Sequence, residues 1–450
     1  MKHLNLSLAA FHLCQSLDDA PGTHSEGAGL LWDDLRGLSA KIPFPELKKF
    51  TEPTEANPET SLDFAVIKII DDISLTGNLS TFKIHDTYSA DLNLSFADEQ
   101  AHFSPENAWI FQPQALIAVT ANLGKVLWLS GESEDLNELQ LSSAKQWAKQ
   151  LCSQAEYITE DRLFNCPMFI FGADSVTILI SLGKPDALDL DRAQKNYYDL
   201  RNLFWTYHKI VVVGELAKAG YQGARHLYSE LEAKVKEFNQ VFLKTPEERL
   251  QKLDELLQTI PQRLLDYNCK LRDLKAHHTT IDVNLNNFKI CLSHILDEKA
   301  GDQLSYWSNF ATKTAPVYLN QIKTYIDYLE PGQLLFSDLI NSIRATTELE
   351  QAKSDRQRQN AEAKYYQQQQ KDNLDLQNHI QAVGVGIAAG AIVASTSGLM
   401  TEPWQLPNRD RFWLPPHPFI IALLGSVICS WGAWWLAEQF IKKRRPEDKP

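Results

Sequence analysis

Residues able to bind a small ligand are concentrated in one segment that is predicted to be helical. Arg201, Trp205 and Lys209 lie close together in it. An aromatic ring and two cations could stack on and neutralise a nucleotide. Burial of Trp205 in a helical core would explain the same residues without a ligand. The segment is therefore a candidate ligand site, with core packing as the alternative.

A second set of candidate residues belongs to the apolar run 380–400. The pattern Gly386-x-x-x-Gly390 lets two helix backbones approach closely in lipid, so these glycines are assigned to helix packing. One face of the same helix could line a pore, polar at both ends and apolar in the middle, where it would exclude water. The positions assigned to this pore face are Gln377, Gln381, Gly384, Ala388, Ala391, Ser395 and Thr396. Packing of the two apolar runs against each other remains the simpler alternative for the small residues.

Two apolar runs near the carboxyl end predict a membrane protein. Residues 380–400 and 419–440 each reach the roughly 20 apolar residues that cross a bilayer core of about 30 Å. Neither run keeps the polar face of a helix in a soluble protein. Four cations at 442–445 follow the second run and predict a cytoplasmic tail. Two spans then place both termini in the cytoplasm, and the start of the chain lacks a signal-peptide pattern. We expect a multi-pass protein of the inner (plasma) membrane, in contact with its lipid.

From the sequence we expect that the protein is not an enzyme. It contains no HExxH, GxSxG or Walker motif, and no GxGxxG followed by an acidic residue. His277 and His278 are adjacent and would point to different faces of a helix, so the nature of any metal site is unknown. No cofactor is firmly implied. The net charge of −13 argues against direct binding of nucleic acid. Six cysteines without a CxxC pair are typical of a reduced, cytosolic body.

Composition divides the chain into a soluble body and a membrane hairpin, so the fold class is an α+β cytosolic domain with long helices and a two-helix transmembrane hairpin. The predicted domains are a cytosolic α/β domain at 1–184, a long-helix cytosolic region at 185–332, a stalk helix at 333–379, a first transmembrane helix at 380–400, an outer loop at 401–418, a second transmembrane helix at 419–440 and a basic cytosolic tail at 441–450.

Finer features of the body follow from local patterns. Residues 1–60 are expected to be irregular, with prolines as punctuation. Strands are predicted at 62–70, 90–96, 168–171 and 176–182, a hairpin from 115–121 and 126–130, and a helix at 142–155. Pro261 is expected to open a helix and Glu330-Pro331-Gly332 to end one. An unbroken helix from Gln333 to Met400 would measure about 100 Å and lead from the body into the bilayer.

This order of parts resembles the CorA family of divalent-cation channels. The resemblance is architectural, covers most of the chain, and is carried by the long helix 333–400, the link 401–418 and the second span closed by 442–445. It implies a homo-oligomer, a pentamer as in that family, whose first span lines a central pore. A divalent cation such as Mg²⁺ would then be the permeant ion. The cytosolic domain would gate the pore.

The family's Gly-Met-Asn motif is absent from this chain. The outer end of the first span reads Ser397-Gly-Leu-Met-Thr401, so the selective Mg²⁺ site cannot be transferred. Divergent CorA-like proteins without this motif act as membrane effectors in type III CRISPR antiviral defence, triggered by a nucleotide second messenger. The chain looks like a candidate for that class. The alternative from another class is a membrane-anchored interaction or scaffold protein without ion conduction.

Overall fold

The chain folds into two compact units. The structure is a computed structural model that describes residues 2–16, 19, 23–70, 73–97, 103–132, 140–184, 189–297, 301–397 and 418–444. The first unit comprises Met1–Lys244 and Lys252–Ile343, and the second comprises Thr245–Gln251 and Arg344–Pro450. An N-terminal α/β sheet domain, long helices and an apolar helix near the carboxyl end are all present, as the sequence predicted at this coarse level.

The first unit is built on one eight-stranded sheet. Its strands are β1 Lys2–Leu13, β2 Glu59–Ile70, β3 Ile73–Ile84, β4 Thr87–Phe96, β5 Gly124–Glu132, β6 Glu156–Leu163, β7 Cys166–Ala173 and β8 Val176–Gly183. Their order is β2-β3-β4-β1-β5-β8-β7-β6. Every neighbouring pair is antiparallel except β5 and β8, which run parallel. The predicted strands at 62–70, 90–96, 168–171 and 176–182 lie inside β2, β4, β7 and β8.

The prediction that residues 1–60 are irregular is wrong, because they contain the central strand β1. Leu4, Leu6 and Leu8 alternate with Asn5 and Ser7, so the strand turns an apolar side to one face of the sheet. That face packs in one core with helices α1 (Leu30–Gly37), α2 (Pro113–Ile117) and α3 (Gln140–Leu151) and with 3₁₀ turns at Leu38–Ala40, Pro45–Lys48 and Pro105–Phe111. The predicted helix at 142–155 corresponds to α3.

The predicted hairpin 115–121/126–130 is also wrong in its first half. Pro113 begins α2, and Ala115, Leu116 and Val119 are buried around this short helix. Only 126–130 forms a strand, as part of β5. Its partners are β1 and β8, which are remote in sequence. A short apolar run does not by itself distinguish a buried helix from a strand, and here the flanking proline decides the outcome.

Helices, several of them long, make up most of the rest of the chain. They are α4 Leu190–Lys195, α5 Tyr197–Val241, α6 Pro246–Ile295, α7 Ser305–Asn309, a π-helical turn at Phe310–Thr314, α8 Ala315–Ser397 and α9 Pro418–Arg444. Within the first unit, α5 to α8 share a second core with Phe11, Val126 and Leu179 of the sheet. Contrary to prediction, Pro261 lies inside α6 and Pro331 inside α8, so neither proline begins or ends a helix.

Tertiary contacts support the turn of α8 that contains Pro331. A proline inside a helix removes one backbone hydrogen bond and crowds the preceding turn. The hydroxyl of Tyr267 donates to the carbonyl of Leu329 in that turn. Tyr228 and Tyr267 also pack against Gly332, where an added Cβ would lie 2.7 Å from Tyr228 Cε2 and 2.9 Å from the Tyr267 hydroxyl. Because Gly332 has no side chain, the rings of Tyr228 and Tyr267 can pack directly against this turn of the helix.

Replacing Gly332 with alanine should destabilise the first unit. The added methyl group must displace two tyrosine rings, which overpacks the core and costs ~1–3 kcal/mol in free energy of unfolding. Gly220→Ala is the matched control, because its new Cβ would approach no closer than 3.8 Å to Leu274 and gains helix propensity. Thermal unfolding of both variants measures the difference. Equal or higher stability of Gly332→Ala would contradict this account of the Pro331 turn.

Candidate functional site

The carboxyl-terminal helix α9 is long and apolar enough to cross a membrane. The segment Ile420–Phe440 has 21 residues and a mean hydropathy of 1.8, and none of its most apolar window is buried by protein. It is the one helix with these properties among the described residues. The first predicted span is helical to Ser397, as the end of α8, whereas 398–417 lie outside the described residues. The two-helix hairpin, its outer loop and its multi-pass topology therefore stay predictions.

Within the second unit, α9 lies against the two glycines assigned to helix packing. A Cβ on Gly390 would lie 1.9 Å from Ser430 Oγ, and one on Gly386 would lie 3.2 Å from both the Ser430 carbonyl oxygen and Trp434 Cβ. Ser426 Oγ donates to the Gly390 carbonyl at 2.8 Å. The backbones of the two helices approach so closely because the glycines carry no side chain.

The positions assigned to a pore face lie elsewhere on the same helix. Gln377, Gln381, Gly384, Ala388, Ala391 and Ser395 are all exposed, whereas Ala382, Gly386 and Gly390 are buried. The side chain of Thr396 lies outside the described part of the chain. At about 100° per residue, the exposed set and the buried set fall on roughly opposite sides of the helix. In the single chain, no described residue covers the side that was assigned to the pore.

The structure brings two of the three candidate ligand residues of α5 together, because Lys209 Nζ lies 5.4 Å from the ring centre of Trp205. The indole N–H of Trp205 donates to Thr87 Oγ1 at 3.2 Å, and the ring is 6 % exposed. Lys209 is buried and forms an ion pair with Asp86. Trp205 thus attaches α5 to the first residue of β4, and Lys209 attaches it to the turn between β3 and β4. Both contacts are compatible with the packing alternative, and the ligand role of these residues stays a prediction.

Arg201 occupies a different environment. Its guanidinium carbon lies 4.0 Å from the ring centre of Phe82 and 5.1 Å from that of Tyr198. Nη2 donates to Asn202 Oδ1 at 3.1 Å, but Nε and Nη1 are buried without a hydrogen-bond partner among the described residues. The side chain lines a cavity of about 420 Å³ between the sheet and helices α4 and α5. The guanidinium is therefore held by two aromatic rings and one hydrogen bond, while Nε and Nη1 remain able to donate to a ligand.

The cavity contains a buried carboxylate that the sequence did not single out. Asp91 of β4 is 6 % exposed, and its Oδ2 accepts from the Tyr197 hydroxyl. Its Oδ1 has no hydrogen-bond partner in the described residues. Burial raises the pKa of Asp91 to about 6, although Tyr197 and Arg201 act in the opposite direction. Asp91 heads the alternation Asp91-Leu-Asn-Leu-Ser95, and a charged residue on a helix-covered side of a strand is the signal that could have revealed it.

A metal centre finds no support in the described residues, where no three His, Cys, Asp or Glu side chains form a group able to hold an ion. His208 is buried against Gly124, and burial lowers the pKa of its imidazole to about 4, which keeps the ring neutral.

No protein-family model matches the chain, and no curated protein matches it significantly. The described fold and site are those of an α/β sheet domain joined to long helices and one candidate membrane-spanning helix.

The raised pKa of Asp91 predicts a pH-dependent stability. The folded state holds this proton more tightly than the unfolded chain, so stability should fall as pH rises from the ordinary aspartate value of 3.8 through about 6. Asp91→Asn keeps an oxygen acceptor for Tyr197 and cannot ionise. Its stability relative to wild type should therefore increase by on the order of 2 kcal/mol between pH 4 and pH 8.

The measurement is thermal unfolding of the full-length protein across this pH range. Asp338→Asn, at an exposed position of α8, is the matched control and should follow the wild type at every pH. A constant difference between Asp91→Asn and wild type would show that Asp91 does not titrate in this window.

Proposed function

We propose that copies of this chain assemble into a membrane channel whose pore is lined by the carboxyl-terminal part of α8. The observation that carries the proposal is the side of α8 opposite α9, which is exposed in the single chain. Its positions Gln377, Gln381, Gly384, Ala388, Ala391 and Ser395 are spaced by four, three, four, three and four residues. This spacing is the heptad pattern by which helices pack around a shared axis.

The chemistry of this strip suits a gated pore. Two glutamines lie at one end and Ser395 at the other, whereas Gly384, Ala388 and Ala391 form a small, apolar middle. A ring of such residues can stop conduction by dewetting. The strip carries no charged side chain between Gln377 and Ser395, so selectivity among cations would be weak. A divalent cation such as Mg²⁺ is a permeant ion in this proposal and needs no resident site.

The surroundings of the strip support the same arrangement. The opposite side of α8 is covered by α9 through Gly386 and Gly390, and α9 exposes its own apolar side chains, such as Val427 and Ile428. In the proposed assembly α8 faces the axis and α9 faces lipid. Five copies, as in CorA-like channels, would complete the ring. The basic tail would hold both termini in the cytoplasm at an inner membrane.

The soluble domain is the proposed control element. Helix α8 is continuous from Ala315, in the core of the first unit, to Ser397. A change in how the first unit holds the start of α8 can therefore reach the pore segment through one helix. The nucleotide-triggered defence role stays a prediction of the CorA-like resemblance. A scaffold that is only anchored by its apolar helices is the competing function, and conduction separates the two.

Thiol accessibility tests the pore directly. In a Cys429→Ser background, Ala388→Cys should react with a cationic, membrane-impermeant thiol reagent and lose conductance several-fold, since five modified side chains would obstruct a narrow ring. Ile428→Cys, on the exposed side of α9, is the matched control and should keep its current. The measurement is ion flux or single-channel current of full-length protein in liposomes.

The oligomeric state is measured on the same sample. Native mass spectrometry in detergent should give a multiple of 51.1 kDa. Silent liposomes with a monomer would remove the channel and favour the scaffold. A conducting oligomer in which the reagent blocks Ile428→Cys but spares Ala388→Cys would show that α9, and not α8, lines the pore.

A further inference from the structure

We propose that the cavity between β4 and α5 is a binding site for a small organic anion that also carries a hydroxyl or amino hydrogen-bond donor. The site is separate from the proposed pore, since all its residues belong to the first unit. At about 420 Å³ it falls within the range of small-molecule pockets and suits a metabolite.

Arg201 and Asp91 define the chemistry of the ligand, because Nε and Nη1 of Arg201 lack a hydrogen-bond acceptor and Oδ1 of Asp91 lacks a donor among the described residues. The Nε and Nη1 atoms of Arg201 are buried donors without partners among the described residues, and a carboxylate or phosphate is the strongest acceptor they could receive. Asp91 Oδ1 is a buried acceptor that likewise has no hydrogen-bond partner among the described residues. Buried polar groups without partners are costly, so a molecule that satisfies both groups gains affinity from each. One anionic group and one donor on the same molecule meet these two requirements.

Rigid supports hold both groups in position before any ligand arrives. Phe82 and Tyr198 contact the guanidinium of Arg201 through their rings, and Tyr197 donates to the second oxygen of Asp91. Such preorganisation reduces the entropy that binding must overcome. A simple structural ion pair would instead bring the two charges into direct contact. Here Arg201 affects Asp91 only as a nearby charge, and both keep unused hydrogen-bonding capacity.

The remaining walls favour a compact, polar molecule with one apolar side. The sheet contributes short amide and hydroxyl side chains, with Asn5 Oδ1 also unpartnered among the described residues. Asn78 and Asn93 are already joined by a 2.9 Å hydrogen bond and form a fixed polar floor. Trp128 donates its indole N–H to Ser181 and so offers the cavity an apolar ring face. Amino acids and sugar phosphates both combine an anion, donors and an apolar edge of this size.

Binding should weaken in acid. Tyr197 and Arg201 of α5 and Glu59 of β2 are the charged or titratable groups that act on Asp91. A donor on the ligand binds the ionised carboxylate more strongly than the neutral acid, and burial raises the pKa of Asp91 to about 6. The affinity should therefore be lower at pH 5 than at pH 7.5, provided that the chosen ligand keeps its own charge over this range.

The experiment is isothermal titration of the full-length protein in detergent, where binding needs no conduction and so is independent of the proposed pore. The probes are the proteinogenic L-amino acids, which combine carboxylate and ammonium, and a set of pentose and hexose phosphates, which combine phosphate and hydroxyls. Acetate and inorganic phosphate are the anions without the organic donor. We expect one of the two probe classes to bind at least about tenfold more tightly than its simple anion.

Variants connect binding to the two groups. Arg201→Gln and Asp91→Asn should each weaken the affinity by about tenfold or more, and Arg201→Lys, which keeps the charge but not the planar donors, should also weaken it. Arg272→Gln, an exposed arginine of α6, is the matched control and should bind as wild type does. An unchanged melting temperature of Arg201→Lys shows that the fold is intact. Absence of binding by every probe, or equal binding by wild type and both site variants, overturns the inference.

Discussion

The uncovered apolar surface of α9 is the constraint on which the rest of the second unit depends. Apolar surface left in water costs about 25 cal/mol for each Å². None of the most apolar window of Ile420–Phe440 is buried by the described residues, so covering this surface with lipid or with another protein would be favourable. In the described residues, α9 contacts the side of α8 that presents Gly386 and Gly390, and it does so through Ser426, Ser430 and Trp434. The other side of α8 is thereby left for a different partner, and in the proposed assembly that partner is another copy of the chain.

The first unit meets a different requirement, because the side of its sheet that faces the long helices carries both apolar and polar residues. Phe11, Val126 and Leu179 pack there in the usual way. Toward β3 and β4 the same side becomes polar and encloses Asp91 beneath Tyr197 and Arg201. Burying a carboxylate without a direct cationic partner lowers stability, and such groups are often found where a protein binds or reacts with something. The polar patch is therefore the part of the domain that packing alone explains least.

Elements with a long or strongly alternating pattern could be predicted from the sequence, and elements decided by tertiary contacts could not. The helical character of 189–241 and the strands β2, β4, β7 and β8 follow from local periodicity. Pro331 reads locally as a helix end, but Tyr267 and Gly332 stabilise its turn from outside the segment. The cluster at 201–209 was predicted as a candidate site because its residues are neighbours in sequence. Asp91 and Arg201 share a cavity only through the fold, and a search for local motifs cannot find such a pair.

The central position of β1 has a consequence for how the domain is made. This strand precedes the other seven in the chain, yet its two neighbours are β4, at 87–96, and β5, at 124–132. One edge stays unpaired until β4 has been synthesised and the other until β5 has, and unpaired strand edges promote aggregation in nascent chains. The non-local pairing also slows closure of the sheet. A deletion within β1 would therefore disrupt the middle of the sheet, whereas a deletion within β6 would affect only its margin.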